Sequence, residues 1–168
     1  MSVFAERAIL RPATLSDAAG LHALYRSIYD EKSWFVGDGP PSAETLRGRL
    51  RGLEANRSLF MVAASDEALW GWLELHRLPP KRLSHVAVLT LAVAAPYRQR
   101  GVAGALLTHA YGWAHGVGIL KLQLSVRAHN RAARALYERE GFVLEGCERR
   151  QVYDAGVFED NLLMAKFL

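Results

Sequence analysis

Residues 84–93 read as a strand that is almost unbroken apolar from Val86 onward, Val-Ala-Val-Leu-Thr-Leu-Ala-Val, followed by a glycine-bearing stretch, a helical pattern to residue 116 and a second apolar segment at 120–126. An apolar run of this kind suits a strand covered on both faces. Strand, helix and strand in succession require two parallel strands joined by a right-handed crossover. The strand patterns at 58–64 and 68–76, separated only by Ser65, Asp66 and Glu67, instead predict an antiparallel hairpin. Parallel and antiparallel pairs together make the sheet mixed. Further strand patterns lie at 8–11, 142–153 and 157–168, and helical patterns run from the Pro12 cap region to about Tyr29, then at 42–54, 99–116 and 130–140. The chain therefore reads as an α/β fold, a mixed sheet of about seven strands with about four helices, in a single domain over residues 1–168.

The stretch Arg98-Gln99-Arg100-Gly101-Val102-Ala103-Gly104 joins the central strand to the long helix. A helix start leaves its first N–H groups without intrahelical partners, and glycine lets those groups approach a ligand closely. The helix dipole and the two arginines add positive charge, so phosphate is the natural guest. A P-loop needs Gly-Lys followed by Ser or Thr, whereas Ala105 and Leu106 follow Gly104. A dinucleotide fingerprint needs Gly-x-Gly-x-x-Gly and an acidic residue about 20 positions later, where this chain has Lys121. A third pattern, Gln or Arg, two residues, Gly, one residue, then Gly or Ala, is met by Arg98, Gly101 and Ala103.

Composition narrows the classes further. The single cysteine, Cys147, excludes an internal disulfide framework and any metal site built from several thiolates. Nothing near Cys147 in the sequence would activate it, so it reads as a buried structural thiol. The six histidines lack metal-ligand spacing, and no metal is expected. The net charge of +4 comes from scattered basic residues with no nucleic-acid-binding signature, so nucleic acid is not an expected partner. The first residues, Met-Ser-Val-Phe-Ala-Glu-Arg, lack a signal-peptide pattern, and no apolar run reaches the roughly 20 residues that span a bilayer. A cytoplasmic protein with no membrane partner is expected.

Downstream of the elbow, residues 126–142 read Val-Arg-Ala-His-Asn-Arg-Ala-Ala-Arg-Ala-Leu-Tyr-Glu-Arg-Glu-Gly-Phe, which fits Asn-x-x-Ala-x-x-x-Tyr-x-x-x-Gly-Phe. In this order the two stretches resemble the two signatures of the GNAT superfamily of acyl-CoA-dependent N-acyltransferases. The resemblance implies a GNAT-like, strongly twisted central sheet. It also implies acetyl-CoA as acyl donor and direct attack by a primary amine in a ternary complex. The main chain of Leu91, Ala92 and Val93 would pair with the pantetheine arm as an added strand, which needs a splayed strand edge. The amides of Gln99, Arg100, Gly101, Val102, Ala103 and Gly104 would hold the pyrophosphate, with Arg98 or Arg100 assisting, and a main-chain amide at or near Val93 would polarise the thioester carbonyl. Asn130 would contact the pantetheine arm while also suiting a helix N-cap. Tyr137 would be the general acid toward the departing thiolate.

For the base, strand alternation puts Trp70, Trp72, Glu74 and His76 on one face. A carboxylate amid tryptophans has a raised pKa, which makes Glu74 the first choice and His85 the second. The segment 30–41 and the turn at 153–159 suit the acceptor, with Tyr29, Trp34, Asp38 and Tyr153 as lining residues. The expected acceptor is the amine of a small molecule, an amino acid or related amine, and the expected assembly to test is a homodimer. A protein N-terminus or lysine is the alternative acceptor, and a non-catalytic CoA-binding module the alternative class.

Overall fold

The computed structural model describes residues 8–31 and 34–168; the reading of residues 1–7 lies outside them. Seven strands form one mixed sheet: β1 (Ile9–Pro12), β2 (Leu59–Ala64), β3 (Leu69–Arg77), β4 (Val86–Val93), β5 (Lys121–Arg127), β6 (Val143–Asp154) and β7 (Val157–Phe167), in the order β1-β2-β3-β4-β5-β7-β6. The four α-helices are α1 (Ala18–Tyr29), α2 (Ala43–Arg51), α3 (Val102–Gly116) and α4 (Arg131–Arg139). All neighbouring strands run antiparallel except β4 and β5, the pair joined by α3 as the crossover requires. No helix among the described residues is long and apolar enough to cross a membrane.

Two apolar layers sandwich the sheet. Against α3 and α4 pack Leu59 and Met61 of β2, Leu73 and Leu75 of β3, Ala87 and Leu89 of β4, and Leu122, Leu124 and Val126 of β5, together with Leu106, Leu107, Ala110 and Tyr137 of the helices. Against α1 and α2 pack Phe60 and Val62 of β2, Trp72 of β3 and Ala92, meeting Leu21, Tyr25, Ile28, Leu46 and Leu50. The period-two alternation of each strand divides its side chains between these layers.

Helix ends follow local chemistry. Ser42 caps α2 by accepting from the Thr45 amide at 3.1 Å, and Asn130 caps α4 by accepting from the Ala133 amide at 3.1 Å. The predicted helix 99–116 begins three residues late, at Val102, because Gln99 (φ 59°) and Gly101 (φ 82°) take left-handed conformations that cannot extend a right-handed helix.

One face assignment fails. Ala63 pairs with Gly71 but Ala64 with Leu69, so Trp70 is the extra residue of a β-bulge. The bulge turns Trp70 into the layer under α3, where it stacks on Tyr97 at 4.5 Å, while Trp72 stays with α1. Glu74 is therefore not flanked by two tryptophans on its face. Cys147 is exposed rather than buried, because β6 is the outer strand of the sheet.

Candidate active site

The ladder between β4 and β5 consists of Val86↔Lys121, Ala87↔Leu122 and Val88↔Gln123. Beyond this point β5 continues with β7 alone, from Leu124↔Met164 to Arg127↔Asn161, while β4 continues with β3 to Gly71↔Val93. The two strands diverge and leave the β5-side edge of residues 89–93 open. N–H and C=O groups of successive residues point to opposite edges. The Ala94 amide donates to Trp70 C=O at 2.8 Å, on the β3 side. Leu91 and Val93 therefore turn their polar groups into the gap, and Ala92 turns its own toward β3. The close approach of Gly71 to the Ala92 carbonyl, which would stand 2.7 Å from a Cβ at position 71, agrees with that orientation. The edge suits an extended arm bearing amides, but through Leu91 and Val93 rather than Ala92.

A 3₁₀ turn, Ala95–Tyr97, carries the chain from β4 to the elbow. The first intrahelical bond of α3 is Ala105 N–H to Gly101 C=O at 3.0 Å, which leaves the amides of Val102, Ala103 and Gly104 without intrahelical partners. The left-handed conformations of Gln99 and Gly101 turn the preceding main chain into a concave nest at this helix end. The structure gives the side chain of Arg98 other work. Its Nε donates to Val93 C=O at 2.8 Å, and its two terminal nitrogens donate to Glu31 at 2.8 and 2.6 Å. The groups this elbow presents are thus main-chain amides, the Arg98 guanidinium being engaged by Val93 and Glu31.

Two titratable groups flank the gap from opposite faces. Tyr137 of α4 is buried in the layer beneath α3, 5.5 Å from the Phe142 ring, in the same cluster as Leu124 and Val126 of β5. Burial pushes its phenol pKa up, so the proton stays on oxygen. Glu74 of β3 faces the other way, paired in register with Thr90 of β4. Burial pushes its carboxyl pKa up, partly offset by Arg49 at 3.5 Å and by His76. A pocket of about 380 Å³ opens onto Glu74, Thr90 and His76 beneath Arg49, Leu53 and Asn56.

A model of the Acetyltransferase (GNAT) family matches residues 21–142, which span α1, the diverging strands, the elbow and α4. The chain belongs to this family. It is an acyltransferase. The uncharacterized N-acetyltransferase YycN of Bacillus subtilis is 36% identical over 93 residues, 55% of this chain; the chain spans only 60% of that relative's length. The N-alpha-acetyltransferase RimI of Mycobacterium tuberculosis is 34% identical over 122 residues, covering 71% of this chain and 72% of the relative. A solved GNAT acetyltransferase from Streptococcus pneumoniae superposes with a TM-score of 0.89 at 30% identity, over 96% of this chain and 99% of that one. The expected mixed sheet with four helices is thus the GNAT fold.

The acetyltransferase does not gather every residue singled out from its sequence. His85 precedes β4 at its far end, roughly 26 Å from Val93 at strand spacing. There it is exposed, and its carbonyl accepts from Leu120 and Lys121. It stands away from the gap and is not positioned as a base. Tyr153 is 65% exposed and stacks on Phe158 at 4.6 Å within the β6–β7 hairpin. Tyr29 stacks on Phe35 at 5.0 Å, close enough to Asp38 for that carboxylate to act on its hydroxyl, although Asp38 itself is exposed. Trp34 lies nearer the gap, 6.0 Å from His129. Residues that sequence reasoning passed over are Arg49 and Glu31, the ion-pair partners of Glu74 and Arg98. No local pattern signals either, because each pair joins segments brought together only by the sheet.

Proposed function

We propose that this acetyltransferase moves an acetyl group from acetyl-CoA to the primary amine of a small molecule, an amino acid or related amine, by direct attack in a ternary complex. One observation carries the reading: a proton-bearing phenol, Tyr137, and a carboxylate of raised pKa, Glu74, lie on opposite faces of the sheet beside the one place where β4 and β5 separate. Acetyl-CoA fits the residues present, since Leu91 offers both its N–H and C=O and Val93 its N–H on an edge that lacks a strand partner, the Val93 carbonyl being held by Arg98, and Gln99 to Gly104 offer a nest of amides at a helix start. When bound, it supplies an acetyl thioester. Asn130, at the N-cap of α4, stands where β5 gives way to that helix and would contact the pantetheine arm.

The residues of the chain divide the proton traffic. Glu74, directly or through a water in its pocket, takes the proton from the incoming ammonium so that the nitrogen lone pair can attack the carbonyl carbon. A main-chain N–H of Leu91 or Val93 supports the negative charge that grows on the carbonyl oxygen. As the C–S bond breaks, Tyr137 donates its proton to the departing sulfur, and the second proton of the nitrogen, released as the neutral amide forms, passes through water to the phenolate and restores it. The pocket beside Glu74, about 380 Å³ and lined by Asn56, Ser58 and His76, has the size of a small-molecule site.

The second reading, an N-terminal α-amine of a protein, is favoured by the similarity to the mycobacterial N-alpha-acetyltransferase. Thiol release from acetyl-CoA, measured against amino acids, polyamines and peptides with free N-termini, decides between them. Turnover with amino acids or polyamines supports the small-molecule reading, and turnover with peptides alone replaces it. Release no faster than hydrolysis with every amine would sink the transferase mechanism and leave a CoA-binding module.

A further inference from the structure

The side chain of Arg98 joins the elbow to the segment after α1. It grips Glu31 with two charge-assisted hydrogen bonds, and its guanidinium carbon lies 5.8 Å from the centre of the Trp34 ring. Glu31 also accepts from the Trp34 indole N–H at 2.6 Å. On its other flank, Trp34 stacks against His129, tilted by 19° at 6.0 Å. The Nδ1 of His129 is 3.0 Å from Glu159 of β7, which Arg127 at the end of β5 also holds. The chain of contacts Arg98, Glu31, Trp34, His129, Glu159, Arg127 therefore starts beside the last residue of β4 and ends on the last residue of β5. It crosses the gap opened by the divergence of the two strands.

We propose that Glu31 and Arg98 are positioning residues that hold Trp34 across the β4–β5 gap, where its indole forms one wall of the acceptor site. The proposal rests on the transferase reading for its kinetic consequence only. Three features support it. Arg98 already binds the carbonyl of Val93, so it fixes the strap to the strand that borders the gap. The acidic groups of the strap, Glu31 and Glu159, each face a guanidinium, and the Arg98 hydrogen bonds hold the Glu31 pKa down so that the pair stays charged near neutral pH. The segment then turns back as Phe35, which packs at 5.8 Å on Trp72 of β3, so the strap is anchored at the elbow, at β5 and in the core. An acceptor reaching Glu74 from this end of the sheet passes beneath the indole.

The test compares Glu31→Gln, Trp34→Ala and Trp34→Phe with the wild type. Trp34→Ala should raise the KM for the amine about tenfold with kcat changed less than about threefold, and Trp34→Phe should restore most of the loss. Glu31→Gln should raise the same KM about threefold while the acetyl-CoA Kd, measured by calorimetry, stays within about twofold. Hydrogen exchange should quicken at residues 34–40 in Glu31→Gln and stay unchanged over the first turns of α3. A loss of acetyl-CoA affinity in Glu31→Gln matching the rise in amine KM would return Arg98 to the donor site and overturn the proposal, as would an amine KM unmoved by Trp34→Ala. Unchanged exchange at 34–40 overturns it without any assay of turnover, so its failure is distinguishable from a failure of the transferase reading.

Discussion

Glu74 and Arg49 form an ion pair at 3.5 Å in the lining of the pocket that also holds Thr90 and His76. Burial raises the Glu74 pKa above the usual carboxylate range and Arg49 pulls it back. Only ionised Glu74 can take a proton, so kcat should rise with pH through this raised value. Replacing Arg49 by Met removes the opposing charge, lifts the Glu74 pKa further and should move the acid limb of the kcat profile to higher pH. Glu74→Gln should lower kcat about a hundredfold and erase that limb. A limb that survives in Glu74→Gln would assign the base elsewhere.

Tyr137 can be tested without disturbing the fold. Its hydroxyl makes no hydrogen bond to another described residue, so Tyr137→Phe loses no protein contact and its Tm should stay within about 2 °C. Removing the acid should lower kcat about a hundredfold while acetyl-CoA binding holds within about twofold. Full activity in the phenylalanine variant would retire its role.

Gly101 carries φ 82° at the start of α3. Alanine there meets a left-handed penalty of about 1–2 kcal/mol, and a shift of φ that relieves it turns the nest amides away from one another. Gly101→Ala should therefore both lower Tm and weaken acetyl-CoA binding. Gly112, within α3 and with open space where a Cβ would stand, is the control: alanine there should leave binding unchanged. Equal acetyl-CoA affinity in the two variants would argue against the elbow as the pyrophosphate site.

Asp17 ties β1 to the start of α1. It accepts from Arg11 at 2.7 and 2.8 Å and from the Thr14 amide at 2.7 Å, and the Arg11 bonds outweigh burial to bring its pKa from 3.8 to about 2. The folded-state pKa lies below the unfolded one, so the stabilisation is complete above 3.8 and disappears as the pH falls through about 2. It amounts to about 2 kcal/mol. Denaturant unfolding of Asp17→Asn should show that deficit at pH 7 and converge with the wild type near pH 2. A deficit that persists undiminished at acid pH would show that packing, not the charge, is responsible.

Much of this molecule is written locally. The hairpin at Ser65, the caps at Ser42 and Asn130, the left-handed Gly141 after α4 and the glycine elbow each depend on a few consecutive residues whose φ preferences or side-chain oxygens act over one turn. Strand alternation likewise places Trp72, Glu74 and His76 on one face of β3. It failed at Trp70 because a bulge inserts one residue, and a single insertion reverses every side chain beyond it. It also said nothing of His85, whose residue type suits a base but whose place at the remote end of β4 does not.

The sequence by itself determined the α/β order, the crossover that makes β4 and β5 parallel, and the nest of amides at the start of α3. These follow from periodicity, chain chirality and glycine's access to positive φ. Only the tertiary structure decided where β4 and β5 part, which edge groups of Leu91 and Val93 face the gap, and that Arg98 binds Glu31. The physical reason is distance along the chain: ion pairs such as Arg98 with Glu31 and Arg49 with Glu74 join segments that become neighbours only after the sheet has closed.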